Sequence, residues 1–575
     1  MTLKSLAKGR RFRLSDQIAN IDKYARDALY RVSIDHGLSK DFLHVCKEWH
    51  RPIPDIHSLR TAVLGYGCQD PDRCLDPVYF SILKQTMDEF RPSKKLIPHT
   101  LGAVVDISDF PRTRSPGFPW NTQGYKTKEE VLRSPEARGY IQREWDSIGR
   151  GVGWKLPDVQ AFHRTVVSPK SKQKVRLTWG FPVDVIAEEA RWFYPMWSHV
   201  KSVSQTAGTC YGVGLEIGLG GIQYLQDQMV TTGYNALCGD FSQFDSTVPG
   251  WLIRDVFAHM SDWFDFEHVI DREGIVWDVN PNKTVRRWKA MVSYFLSCSI
   301  RLPNGERFKK SKGVPSGSMF TNFIDTICNA VATRYACMQA SGRLPLRDYY
   351  YGDDSCVMIK GLNVTKFADV LESTFGLKLN MDKTIYTCNP RNIHWLGYYA
   401  REGLPKRELD FLLASSVYPE KKIVHPVESC ARLLGQLYST MDPQLASIFW
   451  LALEHIRKRA NLTVQAVEQF AKMNISKALK FLTVLGLSPS ELELPIASPD
   501  PFSLTGLRIN NVLPRSPSKR LNGMFDRHLL TEVGAPESYA NTHIRRMNFY
   551  LFYDYYGFCR DEETSWSRLY TRSLL

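Results

Sequence analysis

Three short segments carry the residue types that phosphoryl transfer needs. The first is Asp240-Phe-Ser-Gln-Phe-Asp245. The second is Gly313-Val-Pro-Ser-Gly317, followed by Thr321 and Asp325. The third is Gly352-Asp353-Asp354. Carboxylates are hard oxygen donors, the ligands that Mg²⁺ prefers. Two divalent ions about 3.5–4 Å apart can activate an attacking hydroxyl and neutralise a leaving group. Such a site needs carboxylates converging from rigid neighbours, because in-line attack tolerates little misplacement. Each segment alone is unremarkable: Asp-Asp pairs are common in turns, and Ser-Gly is an ordinary loop before a helix. The order and spacing of all three form the signal.

The surrounding pattern says what must position them. NALCGDF, residues 235–241, alternates apolar and small residues like a strand that ends at Asp240, with Asp245 about one turn later. Pro249 opens an expected helix with Leu252, Val256 and Met260 on one face. A second helix is expected from near Ser318, its apolar side formed by Phe320, Phe323, Ile324, Ile327 and Val331. Asn322, Asp325 and Asn329 share its other side, either as a chemical face or as a solvated one. RDYYYGDDSCVMIK reads as two short strands around a tight turn, and Gly352 lets that turn close without a Cβ penalty.

Ser15 is the expected cap of an early helix with Ile18, Ile21, Ala25, Leu29 and Val32 on its apolar face. Residues 91–125, rich in Pro and Gly, read as loop. After Lys406 the chain is mostly helical, with periodic segments at Gln444–Lys458 and Thr463–Leu485. Six prolines between Pro489 and Pro517 suggest an extended connector, and MNFYLFYDYYGFCR near the C-terminus is dense in aromatics.

Lys and Arg outnumber Asp and Glu by 74 to 60, a formal charge of +14, which favours an anionic partner such as nucleic acid or an acidic membrane surface, against the plainer reading of a basic surface kept for solubility. Lys4, Lys8, Arg10, Arg11 and Arg13 form a basic leader, either a solvated tail or a phosphate contact. The 12 cysteines contain no C-x-x-C, so neither a structural zinc site nor a disulfide framework is expected. No signal peptide and no membrane-spanning stretch is expected.

The three segments resemble motifs A, B and C of viral RNA-dependent RNA polymerases. SPGFPW (115–120) is similar to motif G, KVRLTWG (174–180) to motif F, NMDKT (380–384) to motif D and HWLGYYAR (394–401) to motif E. All seven stand in the family's order, G-F-A-B-C-D-E. GVPSGSMFTNFIDT and GDDS look most like the polymerases of small double-stranded RNA viruses, partitiviruses first and picobirnaviruses second.

The resemblance implies an α+β chain with the right-hand polymerase fold: fingers, a palm of antiparallel sheet plus helices, and a helical thumb. Residues 1–230 would be fingers, 231–265 palm, 266–312 a fingers insertion, 313–405 palm, and 406–575 thumb and C-terminal extension. It implies two Mg²⁺ or Mn²⁺ ions held by Asp240, the Phe241 carbonyl, Asp353 and Asp354. Lys383 would be the general acid for pyrophosphate. Lys174 and Arg176, with Lys170 and Lys172 nearby, would meet the triphosphate. Asp245, Ser316, Gly317, Thr321 and Asp325 would contact the incoming nucleotide, and Ser115, Gly117 and Pro119 the template. Many relatives carry Asn where Asp325 stands, and an ionised Asp cannot donate a hydrogen bond; Asn322 or Asn329 could supply that donor. The implied partners are RNA template and product, NTPs and a viral capsid protein, with no membrane, in the virion interior and host cytoplasm. Reverse transcription and a catalytically inactive RNA-binding, capsid-associated protein are the rival readings.

Overall fold

The computed structural model describes residues 3–13, 20–53, 55–172, 175–206, 209–401, 404–440 and 442–474. In chain order, the strands that build the site are β1 (Leu3–Leu6), β2 (Val159–Thr165), β3 (Val175–Gly180), β4 (Asn235–Gly239), β5 (Ser299–Arg301), β6 (Arg307–Lys310), β7 (Arg347–Tyr351), β8 (Asp354–Ile359) and β9 (Ile385–Thr387). They form two sheets. One has the order β7-β8-β4-β9 and is antiparallel throughout. The other, β1-β6-β5-β2-β3, joins the N-terminal strand to a hairpin some 300 residues later; only its β5–β2 pair is parallel.

Side-chain alternation explains why the first sheet sits at the centre. Leu237, Tyr350, Val357 and Ile359 point into one apolar cluster, while Ala236, Cys238, Tyr349, Cys356 and Met358 point into another. A strand buried on both faces reads as a near-continuous apolar run, as NALCG and SCVMI do. The expected hairpin around Gly352 is the β7–β8 pair, with Tyr351 opposite Asp354.

The helices that cover this sheet are α1 (Lys23–Asp35), α2 (Ser39–Glu48), α3 (Val183–Thr206), α4 (Gly221–Thr232), α5 (Gly250–Ser261), α6 (Thr321–Ser341), α7 (Leu409–Val417), α8 (Pro426–Thr440), α9 (Pro443–Arg459) and α10 (Val464–Met473). The helix expected after Pro249 is α5. The one expected near Ser318 is α6, and every residue from Phe323 to Cys337 in it is buried. That burial overturns the solvated-face alternative: Asp325 is 5% exposed and Asn329 0%.

The early helix also differs from expectation. It starts at Lys23, because the Asp22 carboxylate accepts the Ala25 N–H at 3.0 Å and caps it. Ser429 and Arg432 donate to the same carboxylate, tying α1 to α8. Ser15 and Ile18 lie outside the described residues, and Ile21 precedes the helix and is exposed. Ala25, Leu29 and Val32 are buried as expected, in one cluster with α2, α4 and α7–α10. The stretch 91–125 is largely irregular but includes a helical turn at Leu101–Val104. The periodic segment Gln444–Lys458 appears as α9 and the start of Thr463–Leu485 as α10, while residues 475–485, the proline-rich connector and the aromatic C-terminal segment lie outside the described residues. Among the described residues no helix is long and apolar enough to cross a membrane.

Candidate active site

The two distant acidic segments meet at one end of the central sheet. In the β4–β8 ladder Gly239 lies opposite Ser355, and the Gly239 N–H donates to Ser355 Oγ at 3.2 Å. Asp240 follows directly on one strand, and Asp353 and Asp354 directly precede Ser355 on the other. Gly352 turns the chain with φ +62°. The Asp240 backbone is held from both sides: its N–H donates to Thr384 Oγ1 at 3.3 Å, and its carbonyl accepts the Asn380 N–H at 2.7 Å. Phe241 is fixed by the short pairing of Phe241–Ser242 with Lys378–Leu379.

The electrostatics are those of crowded anions. Burial, then Asp353 and Asp240, push the Asp354 carboxyl up. Burial and Asp353 push Asp245 up to about 6, against the pull of Arg176. Burial, then Asp245 and Asp353, push Asp325 well above the carboxylate range. Carboxyls that raise one another's pKa in this way fit a divalent cation, whose charge would relieve the repulsion. Among the described residues no three His, Cys, Asp or Glu side chains already converge as a ligand set.

The Gly-Val-Pro-Ser-Gly loop is wedged between this cluster and β3. The Val314 N–H donates to the Asp245 carbonyl at 2.7 Å, and the Trp179 N–H donates to Ser316 Oγ at 3.2 Å. Gly317 packs so closely that a Cβ would lie 1.6 Å from the Trp179 carbonyl oxygen. The loop's far end is held by buried Glu189 of α3, which accepts from Ser318 Oγ at 2.7 Å and the Met319 N–H at 2.9 Å. Thr321 spends its hydroxyl on the Pro315 and Ser318 carbonyls, both at 2.8 Å, so its part here is to hold the loop.

The polar residues of α6 divide their work. Asn329, a candidate sugar donor from sequence, instead donates to the Gly352 carbonyl at 3.0 Å and the Asp353 carbonyl at 3.1 Å. Thr326 Oγ1 accepts the Gly352 N–H at 2.8 Å. Asn322 accepts from the Tyr211 hydroxyl. Asp325 Oδ1 is buried without a hydrogen-bond partner, beside Asp245 and Asp353. The sequence reading missed the Thr326–Asn329 clamp, Glu189 and Thr384. The clamp had a legible signal: Asn322, Thr326, Asn329 and Thr333 are polar at helical spacing in an otherwise apolar helix.

The family profile for viral RNA-dependent RNA polymerase matches residues 56–473, well over half of the chain. The chain belongs to that family. It is 25% identical over 318 residues to the RNA-directed RNA polymerase of Atkinsonella hypoxylon virus (isolate 2H), covering 48% of this chain and 47% of that protein. It is 24% identical over 364 residues to the RNA-directed RNA polymerase of Cryptosporidium parvum virus 1 (strain KSU-1), covering 58% of this chain and 64% of that protein. The first source is a partitivirus and the second partitivirus-like, the group that the motifs resemble. A further match, 23% identical over 314 residues, is to the RNA1 polyprotein of Cherry rasp leaf virus, covering 50% of this chain and 13% of that protein. The chain thus spans about half to two thirds of the length of the first two relatives.

Of the remaining motif residues, Lys383 and Arg176 stand at the same cluster. Lys383 Nζ stands 3.9 Å from Asp240 Oδ2. Arg176 is exposed on β3 and acts on Asp245 and Asp354. Lys174 lies outside the described residues. Lys170 is committed to the Lys47 carbonyl at 2.5 Å, whereas Lys172 is exposed. Lys172, Arg176, Lys383, His394 and Arg407 line a cavity of about 970 Å³. Burial pushes His394 down to about 4, so its imidazole is neutral there. Ser115 is exposed and Gly117 buried. Gly117 has φ +71°, and a Cβ on it would lie 2.9 Å from the Phe181 carbonyl oxygen, which binds this segment to the end of β3. The Phe118–Pro119 peptide is cis.

Proposed function

We propose that the chain is a template-directed RNA polymerase that joins an RNA 3′-OH to the α-phosphate of an NTP and releases pyrophosphate. The observation that carries this reading is the meeting of Asp240 with Asp353 and Asp354 at one sheet end. Asp240, Asp353, Asp354 and the Phe241 carbonyl would hold two Mg²⁺ or Mn²⁺ ions. When bound, those ions lower the pKa of the attacking hydroxyl and neutralise the triphosphate. Lys174 and Arg176 bind the triphosphate, with Lys172 beside them, and Lys383 gives a proton to the leaving pyrophosphate.

Asp245, Ser316 and Asp325 face the incoming ribose, with Gly317 and Thr321 setting the loop. Burial holds Asp325 protonated, which gives it the O–H donor that an ionised aspartate lacks. Ser115, Gly117 and Pro119 shape the wall along which the template runs. In this reading the sheet β7-β8-β4-β9 with α6 is the palm (231–265 and 313–405), 1–230 and 266–312 are fingers, and 406–575 is thumb and extension. The chain replicates and transcribes a double-stranded RNA viral genome without a primer, in the virion interior and host cytoplasm, in contact with capsid protein.

The test is RNA synthesis by the purified chain with an RNA template, the four NTPs and Mg²⁺ or Mn²⁺, with Asp353→Asn as control. Template-length product from the wild type and a loss of at least about 10³-fold in the variant is the expected result. Equal synthesis by both, or a preference for deoxynucleotides, which reverse transcription requires, overturns the reading.

A further inference from the structure

Between Leu3 and Arg13 the chain carries Lys4, Lys8, Arg10, Arg11 and Arg13 and no acid. Composition alone leaves this leader as a solvated tail, but the fold fixes it in place. β1 pairs with β6, from Leu3 opposite Lys310 to Leu6 opposite Arg307. Beyond β1, the Gly9 N–H donates to the Gly305 carbonyl at 2.9 Å and the Phe12 N–H to the Pro303 carbonyl at 3.1 Å. Gly9 packs tightly here, since a Cβ on it would lie 2.9 Å from Arg301 Nε. Phe12 then meets Phe118 edge-on with ring centroids 5.2 Å apart, and Arg301 covers the same Phe118 ring at 4.7 Å. The leader therefore ends beside the 115–119 segment.

The neighbouring charges are already spent. Arg301 and Arg307 both bind buried Asp158, and Arg60 binds Glu306 at 3.2 Å. The five leader cations have no carboxylate partner among the described residues, and all five are exposed. Unneutralised cations on an ordered backbone suit a flexible polyanion, because the protein side of the ordering cost is met by the fold. An anionic membrane surface fits less well: the one aromatic of the leader, Phe12, is turned onto Phe118 instead of outward.

We propose that Lys8, Arg10, Arg11 and Arg13 form a track for the phosphate backbone of single-stranded template RNA, leading it to the 115–119 segment. This rests on the polymerase reading above. The experiment compares the full chain with a K8Q/R10Q/R11Q/R13Q variant, measuring anisotropy of a labelled unstructured RNA over a range of salt. Each lost phosphate contact on a single strand lowers the slope of log K against log salt by about 0.7. The expected result is binding weakened by at least about tenfold at low salt and a slope shallower by about two to three. The melting temperature stays unchanged, as does extension of a primed template at saturating RNA. R10K/R11K/R13K keeps the charge and binds like the wild type. Should the quadruple variant misfold, K8Q/R10Q and R11Q/R13Q each give about half of the slope change.

Unchanged affinity and slope in folded variants overturn the track, as does a loss confined to phosphatidylserine vesicles. A wild type that extends primers while the variant binds RNA normally refutes the track alone. A wild type that binds RNA through the leader but adds no nucleotide refutes the polymerase reading alone.

Discussion

Gly317→Ala tests whether the serine-glycine loop is built against β3 as tightly as the site requires. A Cβ at residue 317 would lie 1.6 Å from the Trp179 carbonyl oxygen and 2.8 Å from its carbonyl carbon. Both are backbone atoms, so no side chain can swing away. Loop and strand must part by about 1.5 Å, an overpacking that costs about 1–3 kcal/mol. The Trp179 N–H bond to Ser316 Oγ is lost in the process, about 1 kcal/mol more. Ser316 moves with the loop, and a misplacement of about 1 Å at a reacting site can slow chemistry by about 10²-fold. The assay is single-nucleotide addition at saturating NTP, paired with thermal unfolding. Expected are a fall in kcat of about two orders of magnitude and a lower midpoint. Ser316→Ala is the contrast: it removes only the acceptor, and because residue 316 is exposed, water can satisfy the Trp179 N–H and stability stays near wild type. A Gly317→Ala variant that melts with the wild type and adds nucleotides within threefold of its rate, roughly 0.7 kcal/mol, would show that the close approach has no catalytic consequence.

Asn329→Ala leaves the Gly352 and Asp353 carbonyls without their donor in a buried setting and should cost about 2–4 kcal/mol in chemical denaturation, with loss of activity. Unchanged stability would mean that the turn does not depend on the clamp. Asp325→Asn should keep ribonucleotide incorporation within about tenfold of wild type, since the amide supplies the donor that the protonated acid supplies, whereas Asp325→Leu should erode discrimination against deoxynucleotides; equal discrimination in both removes residue 325 from the sugar site. Glu144 and Asp184 are buried together, and burial with Asp184 nearby raises the Glu144 carboxyl. Above the ordinary glutamate pKa the folded state keeps a proton that the unfolded chain has lost. Stability therefore falls as pH rises, by up to about 1.4 kcal/mol per unit, until the raised folded pKa is passed. Glu144→Gln should flatten that decline and stabilise the protein at pH 8; a variant that keeps the wild-type pH slope in denaturant titrations refutes the assignment.

The acidic half of the site was legible in the sequence because its logic is local. A buried strand that ends in a carboxylate leaves a short run of apolar and small residues such as NALCG, and a hairpin that presents another leaves paired apolar runs around Gly352. The helices after Lys406 were legible for the same reason, through their 3.6-residue period. What escaped was decided by packing across the chain. The helix that holds Ala25, Leu29 and Val32 was expected to begin earlier, but it starts at Lys23 under Asp22, whose carboxylate is stabilised by Arg432 and Ser429 some 400 residues away. Thr321 and Asn329 looked like substrate contacts, yet their hydrogen bonds close on backbone carbonyls that only the folded loop and turn bring near. Glu189 gave no signal at all, since a glutamate inside the α3 sequence reads as an ordinary surface residue until Ser318 and Met319 arrive against it.

Burying α6 is costly, because Asp325, Thr326, Asn329 and Thr333 carry polar groups into an apolar core, and Asp325 Oδ1 remains without a partner. The arrangement makes sense if the helix serves as the ruler between two parts of one reaction. Its N-terminal turn holds the loop that carries Ser316 and Gly317, through Thr321 and through the Glu189 contacts just before it. Its second and third turns hold Gly352 and Asp353, through Thr326 and Asn329. The separation of the loop that carries Ser316 from the turn that carries Asp353 is then set by the rise of one buried helix, about 1.5 Å per residue, and not by the drift of two independent loops. A solvated helix with the same residues would bend and fray with its surroundings. Close packing on every side removes that freedom, and the unpaired carboxyl of Asp325 is left beside Asp245 and Asp353.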